Sequence, residues 1–332
     1  METPADTRLL LLKAWLTAYF GESVFSLRPA STDASFRRYF RIAHAGVSWI
    51  AMDAPPERED CRQFVSVAEI LRNAGVHVPD IVAQDVERGF LLLSDLGHVT
   101  YLDALNAQNA DRLFRDAVDA LIKIQLGSRP AVLPPYDRAL LEREIGLFPE
   151  WYVGRHLGTA LSVAEFEMFG EVSARVLASN LSQPQVFVHR DYMPRNLMVA
   201  DPNPGILDFQ DAVYGPITYD LVSLFRDAFI SWEEERVLDW AARYWDQARR
   251  AGLPVAGEFA AFYRELEWMG LQRHLKVLGI FARIRHRDGK AGYVEDTPRF
   301  VSYVRAVCRR YRDLAPLLAL FDRLEDCRPS SN

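Results

Sequence analysis

The sequence predicts an α+β protein with a small β-rich N-terminal lobe and a large helical C-terminal lobe. Three observations carry this. Up to about residue 95 the chain consists mostly of short β-type runs punctuated by turn residues. From Thr100 onward the apolar spacing is mainly helical. A single β-like island, residues 186–209, interrupts the helical part. The division is therefore placed at 1–95 and 96–332, and 332 residues exceed what one simple core accommodates.

The elements follow in order. Residues 9–20 (LLLLKAWLTAYF) read as an amphipathic helix, with Asp6 as N-cap and Gly21 just past its end. Lys13 interrupts the run, no small-residue cleavage site follows, and the length falls short of the ~20 residues of a membrane span. Strands are expected at 23–29, 37–43 and 47–53, the last two joined by His44-Ala45-Gly46. Pro55 and Pro56 end the third strand, and a helix over 57–74 closes at Gly75. Strands at 80–85 and 89–93 lead into Ser94-Asp95-Leu96-Gly97. Helices are expected near 110–126, 162–181, 219–230, 233–251, 257–284 and 299–323, with Pro134-Pro135 and Gly252-Leu253-Pro254 as breakers.

Composition narrows the function class. A net charge of −6 argues against a nucleic-acid binder, which carries a basic face. With 49% hydrophobic and 25% charged residues, an ordinary soluble globular protein is expected. Cys61, Cys308 and Cys327 form neither a CxxC pair nor a disulfide framework, so the expected compartment is a reducing cytoplasm.

The island reads VFVHRDYMPRNLMVADPNPGILDF from Val186. A strand at 186–188 leads into His189-Arg190-Asp191 and a loop containing Pro194; strands at 197–199 and 205–207 flank the turn Asp201-Pro202-Asn203-Pro204. A regular hairpin centred on Pro202 sets 197 opposite 207 and Asn196 opposite Asp208, with opposed Cβ atoms ~4.5–5.5 Å apart. One amide oxygen and one carboxylate together suit Mg²⁺, which takes hard oxygen ligands and shares them with substrate phosphates. Asp191, five residues before Asn196, is placed to orient an attacking hydroxyl and accept its proton. Phosphoryl transfer asks little more of a protein than positioning and charge neutralisation. Asp201 and Asp211 read as solvated loop acids.

These motifs resemble the kinase signature set, HRDxxxxN followed by DF. In detail they are similar to the aminoglycoside phosphotransferase and choline kinase branch: His189/Asp191, Pro194, Asn196, Leu207-Asp208-Phe209 and Tyr219-Asp220-Leu221 match its pattern. That resemblance implies a bilobal, protein-kinase-like fold. HRDYMPRNLM with LDFQDAVYGPITYDL, REIGLFPEWYV at 143–153 and LKVLGIFARI at 275–284 resemble one bacterial subfamily, the N-acetylmuramate/N-acetylglucosamine anomeric kinases of cell-wall recycling. The resemblance implies ATP and Mg²⁺ as cofactors, Asp191 as base, Asn196 and Asp208 as metal ligands, and a small amino sugar as partner. Asp220 is expected to brace the catalytic loop through backbone hydrogen bonds.

Two departures accompany the match. Met52 or Asp53 stands where the family's third-strand Lys falls, and Phe64 where its helix Glu falls. Loss of both together avoids a stranded charge, and an arginine among Arg37, Arg38 and Arg41 is a candidate replacement. The phosphate-loop position is Ser31-Thr32-Asp33-Ala34-Ser35-Phe36, without glycine, so Ser31, Thr32 and Ser35 hydroxyls with backbone N–H groups are the expected phosphate ligands, together with Arg38. Adenine is expected at backbone groups near Ser94 and Leu96. For the sugar, Trp151 and Tyr152 are candidate stacking residues, and Glu142, Glu144, Arg273 and His274 candidate hydrogen-bond partners; burial in the core is the competing role for each aromatic and for His274. Arg143, Arg155 or Arg273 could meet a lactyl carboxylate. Two other functions compete: a kinase for another small alcohol, such as an aminoglycoside or choline-like substrate, and an inactive nucleotide-binding pseudokinase.

Overall fold

The computed structural model describes residues 6–21, 25–30, 36–290 and 292–325. Two compact units emerge, Met1–Thr100 with Leu197–Asp211, and Tyr101–Asn196 with Ala212–Asn332.

In the first unit, helix α1 (Thr7–Phe20) begins where the Asp6 side chain accepts the Leu9 N–H at 3.0 Å and ends at Gly21, φ 73°. Strands β1 (Ser26–Pro29), β2 (Arg38–His44), β3 (Val47–Asp53), β4 (Ile81–Asp85) and β5 (Phe90–Ser94) form one antiparallel sheet in the order β1-β2-β3-β5-β4. The β2–β3 turn has positive φ at both Ala45 (49°) and Gly46 (78°), as a two-residue hairpin loop that matches strand twist requires. Pairing puts Phe40 opposite Ala51 and Ile42 opposite Trp49, and this face is covered by Leu12 and Leu16 of α1. Arg38 and Asp53, two residues along their strands, share that face; Tyr39 and Met52 take the other.

Helix α2 (Cys61–Asn73) starts later than expected, because Asp60 rather than the Pro55-Pro56 exit caps it through the Arg62 N–H at 2.9 Å. Phe64 is buried on it and packs against Phe209 with ring centroids 4.7 Å apart, so an aromatic contact occupies the position expected for a Glu.

Strands β7 (Leu197–Met198) and β8 (Gly205–Ile206) make a short hairpin in this same unit. Backbone bonds from Ile206 N to His77 O (2.8 Å) and from Val199 N to Val99 O (2.9 Å) tie it there. Its register corrects the expectation. Leu197 pairs with Ile206 and Met198 with Gly205, so 197 does not face 207. The connection over 199–204 has six residues, so its centre falls between 201 and 202 rather than on Pro202.

The second unit is helical: α3 (Tyr101–Ala104), α4 (Ala110–Leu126), α5 (Arg138–Ile145), α6 (Val163–Ser182), α7 (Tyr219–Phe225), α8 (Glu234–Arg250), α9 (Phe259–Asp288), α10 (Thr297–Arg310) and α11 (Ala315–Glu325). Helix α9 is buried along most of its length and packs with α6, α7, α10 and a π-helical segment, Phe148–His156. The helix expected over 299–323 is two helices, parted at Tyr311, whose backbone is extended (φ −117°, ψ 119°) and whose hydroxyl donates to the fully buried Glu267 at 2.6 Å. A strand the sequence reading missed, β9 (Val213–Pro216), pairs antiparallel with β6 (Gln185–Val188). Among the described residues no helix is long and apolar enough to cross a membrane.

Candidate active site

Strand β6 delivers the chain to His189 through three buried residues, Val186–Val188. The loop that follows is held by its neighbours at nearly every residue. Asp220, fully buried at the start of α7, accepts the backbone N–H of His189 at 2.7 Å and of Arg190 at 3.0 Å. Burial raises its carboxyl from the ordinary 3.8 to about 6, with the His189 charge and those N–H donors acting against the rise. Tyr192, fully buried, donates its hydroxyl to the Ala117 carbonyl of α4 at 2.8 Å. The chain then turns through Pro194–Asn196, and Asn196 Nδ2 donates to the Asp191 carbonyl at 2.9 Å. That bond fixes the rotamer: with the nitrogen committed to a carbonyl, the amide oxygen is the atom Asn196 can offer a cation.

Two of the motif residues have positive φ without being glycine, Arg190 (76°) in the second unit and Asp208 (60°) in the first. Such conformations cost on the order of 1–3 kcal/mol, persist only where surrounding contacts over-determine them, and cluster at functional sites. For Arg190 the contacts are visible. Besides the Asp220 bond, its carbonyl accepts from Arg273 Nη1 at 3.1 Å, and its guanidinium donates to Glu144 at 2.6 Å while lying 5.5 Å over the Tyr136 ring. Asp208 accepts from Gln210 Nε2 at 2.9 Å.

Of the six residues offered for the sugar, four are buried: Glu144 (6% exposed), Tyr152 (3%), Arg273 (5%) and His274 (0%). Glu144 carries ion pairs to Arg190 and to Lys276 (3.0 Å) and accepts the Tyr136 hydroxyl. Burial alone would push its carboxyl up, but the Lys276 and Arg190 charges outweigh this and hold it below the usual carboxylate range. Tyr152 stacks on Phe148 at 5.5 Å inside the helical core. His274 lies against the rings of Phe300 (5.5 Å) and Tyr303 (5.0 Å), and burial beside Arg226 and Arg273 drives it toward the neutral form. Of the other two, Trp151 keeps part of its side chain exposed and Glu142 is exposed.

In the first unit, Ser31, Thr32 and Ser35 lie outside the described residues. Arg38 is engaged by carboxylates: its Nε donates to Asp53 at 3.0 Å, and it also pairs with Asp6. Asp53 is fully buried and takes a second arginine, Arg8, at 2.8 Å, on the face covered by α1. Arg41 grips Asp95 in a fork (2.6 and 3.0 Å) and donates to the Gly97 carbonyl at 2.6 Å. Burial works to raise the Asp95 carboxyl, but Arg41 and Ser48 more than offset it and keep it low. Arg41 thereby fixes the segment that carries Leu96, and Ser94 is pinned to Asp80, accepting its N–H at 2.8 Å. Arg37 stands 4.0 Å from Glu59.

Sequence reasoning missed Lys276, Arg190 and Tyr136 as members of the site. The available signal was the pair Arg273 and Lys276, one turn apart on an otherwise apolar helix face.

The architecture is the aminoglycoside-phosphotransferase-like, protein-kinase-like fold. A choline/ethanolamine kinase family protein from Mesorhizobium loti has a TM-score of 0.62 at 15% identity, covering 94% of this chain and 100% of that one. An ADP-bound aminoglycoside phosphotransferase has a TM-score of 0.60 at 13% identity, with 90% and 97% covered. The chain belongs to the phosphotransferase enzyme family, whose model matches residues 26–259. It is 55% identical over 330 residues to the N-acetylmuramate/N-acetylglucosamine kinase of Pseudomonas putida, covering 96% of this chain and 97% of that protein. The protein of the same name from Pseudomonas aeruginosa is 52% identical over 322 residues, with 94% and 95% covered.

Proposed function

We propose that this chain uses ATP and Mg²⁺ to phosphorylate the anomeric hydroxyl of N-acetylmuramate or N-acetylglucosamine, yielding the sugar 1-phosphate in peptidoglycan recycling. The observation that carries the substrate is the 55% identity, over 96% of the chain, to a kinase named for these two sugars. Asp191 is the residue assigned to the acceptor hydroxyl; its carboxylate is 43% exposed while the loop beneath it is bolted to Asp220 and Arg273. An anomeric hydroxyl is more acidic than an ordinary sugar alcohol, so a carboxylate is base enough to orient it and take its proton as the new P–O bond forms. Asn196 and Asp208 are the residues assigned to the cation. An amide oxygen and a carboxylate are the hard donors Mg²⁺ selects, and both belong to the motif. When bound, the metal neutralises charge on the β- and γ-phosphates. Ser94 and Leu96 lie on the segment assigned to adenine, with Arg41 holding its conformation. Trp151 is the aromatic assigned to the sugar face.

The test is the product. Purified protein incubated with ATP, Mg²⁺ and either free sugar should give a phosphate whose ³¹P signal is coupled to the anomeric proton. Phosphate on carbon 6, or turnover only with aminoglycosides or choline, would overturn the proposal.

A further inference from the structure

We propose that Arg273 is a positioning residue for Asp191: its guanidinium holds the peptide that carries the base. This rests on the assignment of Asp191 given above. The carbonyl of Arg190 belongs to the peptide plane leading into Asp191. Arg273 Nη1 donates to that carbonyl at 3.1 Å, while Arg273 Nη2 stands 3.9 Å from the Asp191 carboxylate. Arg190 has a left-handed backbone, so the direction in which Asp191 leaves the chain depends on what secures that conformation. Asp220 secures the N–H end of Arg190, and Arg273 secures the carbonyl end.

Arg273 is itself immobilised. It is 5% exposed, and its Nη1 also donates to the Tyr219 hydroxyl at 3.0 Å. Lys276, one turn further along α9, donates to the same hydroxyl at 3.0 Å and pairs with Glu144 at 3.0 Å. Glu144 in turn takes the Arg190 guanidinium at 2.6 Å. The contacts therefore close a ring, Arg190–Glu144–Lys276–Tyr219–Arg273–Arg190, with the residue before the base as its link to the loop. A planar guanidinium holds its donors in a rigid fork, whereas an ammonium group is a compact charge whose donors rotate freely. Burial limits a competing use: Nη1 is given to Arg190 and Tyr219, and the residue as a whole is 5% exposed, so Arg273 is placed to act beneath the base.

The test is a set of variants: Arg273→Lys, Arg273→Met, Asp191→Asn, and Arg273→Lys combined with Asp191→Asn. Arg273→Met should lower kcat by roughly 10²-fold, the size of effect a misplacement of about 1 Å produces. The KM for sugar and the Kd for ADP should stay within about threefold. Arg273→Lys should fold and lose roughly tenfold in kcat, since it keeps the charge and loses the fork. Single-turnover transfer from labelled ATP makes the slow variants measurable. If Arg273 works through Asp191, adding Arg273→Lys to Asp191→Asn should cost less than about twofold. The same tenfold loss in both backgrounds would overturn the proposal, as would parent kcat in Arg273→Lys or a loss confined to KM. Should Arg273→Met fail to fold, the Lys variant and its double carry the decision. Parent-level turnover by Asp191→Asn would instead strike the assignment of the base, which separates the two failures.

Discussion

Buried carboxylates on this chain are handled in different ways. Asp53 accepts two arginines, and Glu144 is matched by Arg190 and Lys276 on one oxygen and accepts the Tyr136 hydroxyl on the other. Asp227 is treated less generously. It is 3% exposed, its Oδ2 accepts the Phe229 N–H at 3.3 Å, and its Oδ1 has no hydrogen-bond partner among the described residues. Burial raises its carboxyl from 3.8 to about 6, and the N–H groups of Ala228 and Phe229 only partly oppose this. A raised folded value means that the contribution to stability is complete below the unfolded value and fades as pH climbs through the folded one. Across that window the native state holds a proton the unfolded chain has released, and the penalty that develops is of order 3 kcal/mol. Asparagine keeps the acceptor and cannot ionise. The melting temperature of Asp227→Asn should therefore exceed that of the parent by more at pH 7.5 than at pH 4.5. A gap that stays the same at both pH values would mean that Asp227 is not a penalised anion.

At the scale of elements, helix α9 organises the second unit, and Gly279 sets how closely it approaches the start of the π-helical segment. A Cβ at 279 would meet the Leu147 backbone and Cβ at 2.5 Å. Alanine would gain about 1 kcal/mol of helix propensity, but overpacking against main chain costs about 1–3 kcal/mol. Gly279→Ala should lower the free energy of unfolding, by up to about 2 kcal/mol, in urea titrations, and stability above the parent's would show that the segment yields freely. What was legible in the sequence follows contiguity. Helix α4 was read at its observed limits because a clean apolar stripe and a terminal Gly127 frame it. The HRD loop was legible because its residues are neighbours in the chain. The π-helical segment was not, since Pro149 and Gly154 look like breakers. Strand β9 was hidden because its partner β6 is 28 residues earlier and its own four residues include a glycine and a proline. The charged ring under Arg190 was equally hidden, since Glu144 and Arg190 are 46 positions apart and only packing brings them together. Alternation and pairing place two of the three strand arginines: Arg38 shares the α1 face with Asp53, and Arg41 is bound to Asp95.

At the scale of the whole molecule, each unit carries its own core, one built by α1 on the sheet and the other around α9, and the chain returns to the first unit for residues 197–211 after leaving it. That return is secured by backbone bonds from the hairpin to His77 and Val99. It also gives Asp208 a setting unlike that of an ordinary loop acid, held at φ 60° next to Phe209, which is buried against Phe64. Folding stability reports on the cation ligands whatever the sugar. A ligand that binds only the native state stabilises it by about 2.7 kcal/mol at a hundredfold excess over its Kd. For units of this size that corresponds to a rise in Tm of about 5–10 °C. ADP with Mg²⁺ should therefore raise the melting temperature of the parent more than ADP with a chelator does. Asp208→Ala removes a charged oxygen ligand and should abolish the Mg²⁺-dependent part of that rise. Asn196→Ala removes a neutral ligand and should reduce it by less. If both variants keep the full Mg²⁺-dependent shift of the parent, neither residue binds the cation, and the metal assignment falls even where catalysis survives.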